Sequence, residues 1–126
     1  MNRENVFGYP EPVWARFEAP ARAGELMAAA DVVVVEAGSP AARGRLRLYA
    51  QLAGGRVVDV RFQAYGCPVT IAVGQWVAEQ LVGADPRVHR LTAADLRQAL
   101  EITDDKAHCA LMGEDLVLAL VKRISG

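Results

Sequence analysis

The chain has 126 residues, of which 52% are apolar and 23% charged, with a formal net charge of −1. This balance excludes a disordered chain, which needs few apolar residues and a large net charge. It also leaves no global basic field to hold a nucleic acid or an anionic membrane.

The length is that of one domain, residues 1–126, large enough to bury roughly two-thirds of its unfolded surface without disulfides. Aromatic residues are too sparse for a base-stacking surface. The apolar runs Leu26–Ala30 and Val32–Val35, split by Asp31, are too short to span a bilayer. Met1-Asn2-Arg3-Glu4-Asn5 leads into no hydrophobic stretch, so no signal peptide and a cytoplasmic location are expected.

Gly8, Pro10, Pro12, Pro20 and Gly24 make the first segment irregular, with one short helix predicted around Val13, Trp14 and Phe17, which share a side. From Asp31 the pattern becomes strand. Val32–Val35 is β-branched, and Gly38-Ser39-Pro40 ends it. Arg45 to Leu52 alternates, with Leu46, Leu48, Ala50 and Leu52 on one face. Gly54-Gly55 is a two-residue hairpin signal. The return strand, Val58 to Ala64, is expected to turn Val58, Val60, Phe62 and Ala64 inward.

After Gly66 the period changes to that of a helix. Pro68 suits its first position, Ala72, Val73, Trp76, Val77 and Leu81 form its apolar stripe, and Gly83 stops it. Thr92 to Asp95 reads as a capping box for a short helix through Glu101. The last helix is predicted to begin near Lys106 or His108. Its expected buried stripe is Leu111, Met112, Leu116, Val117, Leu120, Val121 and Ile124, with Lys122 and Arg123 at its negative end. One helix, three strands and three helices predict an α+β fold: a three-stranded antiparallel sheet with helices packed on its one apolar face.

Two cysteines, Cys67 and Cys109, do not make a disulfide framework. In a reducing compartment they are either buried and inert or chemically employed. Cys67 directly precedes the Pro68 helix, and His108 and Cys109 open the last one. Free N–H groups and the positive dipole end stabilise a thiolate at such places, so both thiol pKa values are expected to be lowered. Thiolates and imidazole are ligands that zinc and iron–sulfur clusters take. The plainer reading is a small core residue beside a solvated histidine, since the spacing is no local finger motif. His89 reads as an exposed surface histidine. A third reading makes Cys67 or Cys109 a nucleophile with His108 as its base. The sequence offers neither a substrate pocket nor an orienting third residue for it, so no enzyme is expected.

Tyr65-Gly66-Cys67 followed by Ile71-Ala72, and Lys106-Ala107-His108-Cys109 followed by Glu114-Asp115, resemble the iron–sulfur cluster assembly scaffold family, IscU and the N-terminal part of NifU. Phe17-Glu18-Ala19-Pro20 through Gly24 is similar to the family's entry segment, and Gly38-Ser39-Pro40-Ala41 to its Gly-Ala-Pro-Ala turn. Gly54-Gly55 and Asp59 fall at its hairpin and following strand, so the resemblance spans residues 13 to 121. It implies the same α+β fold. It implies that Cys67, His108 and Cys109 are ligands to iron, zinc or an iron–sulfur cluster. It further implies that Cys109 receives sulfur from a cysteine desulfurase, that other cluster-assembly proteins are partners, and that Lys106 is a neighbouring cation.

The chain also departs from that family. Ala42 stands where the family has its first ligand cysteine, and Gly44 where it has an aspartate. Arg43 and Arg45 flank the place, which favours an anion or thiolate over a cation; as a strand edge they are also simply solvated. Ile102-Thr103-Asp104-Asp105-Lys106 replaces the Leu-Pro-Pro-Val-Lys that a dedicated Hsp70-type chaperone reads. Three protein ligands leave one position open on a tetrahedral metal, and a two-iron cluster wants four. A small thiol, Asp104 or Asp105, a partner or a second copy of the chain in a homo-oligomer would complete the set. Adjacent acids before a helix more commonly complement its dipole.

Overall fold

The computed structural model describes Asn5, residues 7–39 and residues 43–125. The sequence readings that rest on Met1–Glu4, and those on Pro40, Ala41 and Ala42, lie outside these residues. In chain order the elements are α1 (Glu11–Glu18), β1 (Val32–Ser39), β2 (Gly44–Ala53), β3 (Arg56–Tyr65), α2 (Pro68–Leu81), α3 (Ala93–Leu100) and α4 (Ala107–Ser125). One 3-10 turn, Asp104–Lys106, leads into α4. The strands form a single antiparallel sheet in the order β1-β2-β3. The α+β architecture expected from the periodicity is present. Among the described residues no helix is long and apolar enough to cross a membrane.

The apolar face of the sheet is covered by α2 and α4. α2 lies against β3 and β2, and α4 against β1 and β2, while α1 backs α2 and α3 backs α4. Leu46, Leu48 and Ala50 of β2 and Val60 and Phe62 of β3 are fully or almost fully buried there. Burying a leucine, valine or phenylalanine side chain contributes about 1.5–3 kcal/mol. Gly74 lets α2 approach the sheet, because a Cβ there would lie 2.5 Å from the Phe62 ring.

Two expectations about facing are corrected. Val58 is not inward: it is 53% exposed, and Val57 is fully buried in its place. The pairing slips between Gln51, which faces Asp59, and Leu52, which faces Val57, so Val58 is the extra residue of a β-bulge. The bulge inverts the alternation on the hairpin side of it. Leu111 is also outward, 54% exposed, with Leu118 seven residues on sharing its side of α4. Cys109, Ala110 and Gly113 occupy the buried stripe together with Met112, Leu116, Val117 and Leu120.

The N-terminal segment is tied to this frame. Phe62 N donates to Arg22 O at 3.0 Å and Gly24 N to Phe62 O at 2.8 Å, covering part of the β3 edge. Gln75, 4% exposed, accepts from Arg22 N at 2.8 Å and donates to Glu79, which also receives the Arg16 guanidinium. The predicted cap of α3 is present: Thr92 and Asp95 satisfy one another's backbone N–H groups. Gly83 follows α2 with φ +82°, as its stop signal required.

Candidate functional site: two thiols and a buried hydroxyl

Cys67 is placed by the end of β3. The chain leaves Tyr65, turns at Gly66 with φ +149°, and enters α2 with Cys67 as N-cap and Pro68 behind it. A Cβ on Gly66 would lie 2.7 Å from Thr70 Oγ1, so the turn accepts only glycine. Cys67 is half-buried. Cys109 is the third residue of α4 and is 1% exposed, packed in the main core.

These two residues, distant in sequence, meet across Thr70. The Thr70 hydroxyl lies 3.7 Å from Cys67 Sγ and 3.6 Å from Cys109 Sγ. Both cysteines are free thiols. Gly44, at the start of β2, borders the same spot: a Cβ there would lie 3.5 Å from Thr70 Oγ1, 3.2 Å from Tyr65 O and 3.1 Å from Met112 Cε. Position 44 thus faces the Thr70 hydroxyl with no side chain to offer it.

The electrostatics of the two sulfurs diverge. The hydrogen bond from Cys109 holds the Cys67 thiol down to about 4, against the opposing effect of burial. The Thr70 and Val69 amides at the start of α2 and the Thr70 hydroxyl act in the same direction. Cys109 goes the other way. Its hydrogen bond to Cys67 and its burial push its thiol well above the ordinary range, although Thr70 and Lys106 pull it down. The expectation that both thiols would be acidic therefore holds for Cys67 and is corrected for Cys109. The pair releases its first proton readily and its second with difficulty, because a thiolate already faces the remaining thiol.

His108 is exposed on the first turn of α4. Its charge and that of Lys106 reach Asp105, whose carboxyl is held below the usual range first of all by the Thr103 hydroxyl. Asp104 is exposed and paired with Arg97. Among the described residues no three His, Cys, Asp or Glu side chains converge to hold a metal ion between them. The structure brings Cys67 and Cys109 together, with His108 next to Cys109 on the exposed side of the same turn. His89 is exposed, as expected. Arg43 and Arg45 are exposed too, Arg43 with φ 51°, and Arg45 lies opposite the exposed Tyr65 across the strand pair. A cavity of about 220 Å³ is lined by Tyr9, Val13, Val69, Ile102 and Lys106 among others, and neither sulfur lines it.

Sequence reading missed Thr70. Its one signal was spacing: three residues beyond an N-cap is the position whose side chain turns back to the cap.

The chain is similar to known proteins in sequence and in fold. The family model described as the NifU-like N terminal domain matches residues 8–125. The iron-sulfur cluster assembly enzyme IscU of Drosophila melanogaster is 29% identical over 115 residues, covering 88% of this chain and 74% of that protein. The iron-sulfur cluster assembly scaffold protein IscU of Escherichia coli K12 is 31% identical over 68 residues, so the match spans about half of each chain, 53%. Two solved structures share the fold at 18% identity. A putative iron-sulfur cluster assembly scaffold protein for the SUF system from Fervidobacterium islandicum AW-1 has a TM-score of 0.74 over 93% of this chain and 99% of that one. A NifU-like protein (N-terminal) from Brucella abortus has a TM-score of 0.67, covering 91% of this chain and 90% of its own. The chain belongs to the NifU-like N-terminal domain family.

Proposed function

We propose that this member of the NifU-like N-terminal domain family is an iron–sulfur cluster assembly scaffold. Iron or a nascent iron–sulfur cluster is its cargo, held through Cys67, His108 and Cys109, with residues 1–126 acting as one unit. The observation that supports this reading is the meeting of the Cys67 and Cys109 sulfurs across Thr70 at two helix starts. The donor set suits the cargo, since thiolate and imidazole bind iron–sulfur clusters, iron and zinc alike. Zinc is accordingly the metal expected in protein as purified.

Three protein donors leave one position open for an exogenous thiol, a partner or a second copy of the chain. A cysteine desulfurase is the sulfur source, with Cys109 as its acceptor, and other cluster-assembly proteins take the product. In this reading the chain is not itself a catalyst, and it works in the cytoplasm without nucleic acid or membrane. Anaerobic reconstitution with ferrous iron and sulfide, read by visible absorption and iron content, is the test. Loading is expected in the wild type and lost in Cys67→Ala; equal loading of the two overturns the proposal.

Gly44 favours one second reading. With no side chain at 44 beside the Thr70 hydroxyl, the chain would keep a surface for partners such as a desulfurase but hold no cluster. The double change Ala42→Cys, Gly44→Asp separates the two. A large gain in occupancy places the natural chain in the second class, and a negligible gain in the first.

A further inference from the structure

Thr70 is 2% exposed. A threonine hydroxyl inside a helix usually turns back to a carbonyl one turn earlier. That of Thr70 instead meets two sulfurs, 3.7 Å from Cys67 and 3.6 Å from Cys109, and no other hydrogen-bond partner for it is seen among the described residues. It is also hemmed in. A Cβ at Gly66 would overlap it and one at Gly44 would touch it, so backbone closes two of its sides. A valine of the same shape would fill this space equally well, which leaves packing no reason for the oxygen.

We infer that Thr70 is a positioning residue for the metal cargo, an inference that rests on the function proposed above. Its hydroxyl, with one hydrogen to give, donates to one sulfur and lies against the other, and so sets their separation and direction for a single soft metal ion. It is the polar group that α2 contributes at a place where β2, with Gly44, contributes none. Outer hydrogen-bonding groups of this kind orient the ligands, and losing one weakens metal binding roughly 10–100-fold.

The test is an anaerobic titration of the full chain with cobalt(II) chloride. It is followed through the thiolate-to-cobalt and d–d absorption bands, with affinity measured by chelator competition. Thr70→Val should bind roughly 10–100-fold more weakly with shifted d–d bands, and Thr70→Ser should restore wild-type affinity and bands. Urea unfolding checks that the valine variant is folded. Should it not be, Thr70→Ala, which also lacks the oxygen but differs in volume, is read by the same criteria. Wild-type affinity and bands in the hydroxyl-free variant overturn the inference. A Cys67→Ala arm separates the two levels. If it binds cobalt as the wild type does, the cargo reading fails and Thr70 with it. If it loses cobalt while Thr70→Val keeps it, only the role of Thr70 fails.

Discussion

Gly66 leaves no room for a side chain beside Thr70: a Cβ would lie 2.7 Å from Oγ1 and 3.0 Å from the threonine Cβ, on a backbone with φ +149°. Gly66→Ala is therefore strained twice, by conformation and by contact. It should destabilise the chain by about 1–3 kcal/mol and displace Cys67 from Thr70. A lowered urea midpoint together with weakened metal uptake is the expected result. An unchanged midpoint would show that the turn relaxes freely.

The two thiols give opposite pH dependences. Cys67 has a folded pKa of about 4 against an ordinary thiol value of 9.0, so between these values the unfolded chain binds more protons. Its contribution to stability is complete above the unfolded value and is lost as pH falls through about 4. Cys109 is raised, so its contribution is present below the ordinary thiol value and is lost as pH rises above it. In metal-free protein the urea midpoint should climb from acid to neutral pH more steeply in the wild type than in Cys67→Ser. Alkylation provides a second measure. Cys67 should react at a nearly constant rate from about pH 6 to 9, with Cys109 protected, and Cys109→Ala should move the Cys67 midpoint upward.

Gly44→Asp would set a carboxylate beside the Thr70 hydroxyl, which itself reaches both sulfurs. Its Cβ would meet Met112 Cε at 3.1 Å, the far end of a flexible side chain, and Tyr65 O at 3.2 Å, which is backbone. The expected outcome is tighter cobalt(II) binding at a folding cost of about 1–3 kcal/mol in the metal-free chain, since position 44 is buried. Weaker binding would mean that position 44 does not face the metal.

The bulge makes neighbouring valines unequal. Val57→Asp should prevent cooperative folding, since it leaves an unpaired charge in the core. Val58→Asp, at an exposed site, should stay within about 0.5 kcal/mol of wild type. Circular dichroism and urea unfolding of the two variants decide it.

The same strand shows how far local pattern reaches. The run Val58 to Ala64 correctly signalled a strand, because alternation is a property of adjacent residues. Which valine turned inward depended on a slip against β2, set by the partner strand and the hairpin. In α4 the helix itself was legible from its apolar content. The outward stripe of Leu111 and Leu118 was not, because it follows from how the helix is rotated against the sheet.

The candidate site divides along the same line. The amino-acid order alone established an α+β chain, its hairpin, the Thr92 cap, and the placing of Cys67 and Cys109 at two helix starts. Those features depend on interactions within about one helical turn or one β-turn. The folded arrangement decided which thiol is acidic, that Thr70 reaches both, and that Gly44 lies against Thr70. These depend on groups far apart in the chain, whose separation no local periodicity encodes, and whose burial and hydrogen bonding arise only once β3, α2 and α4 pack together.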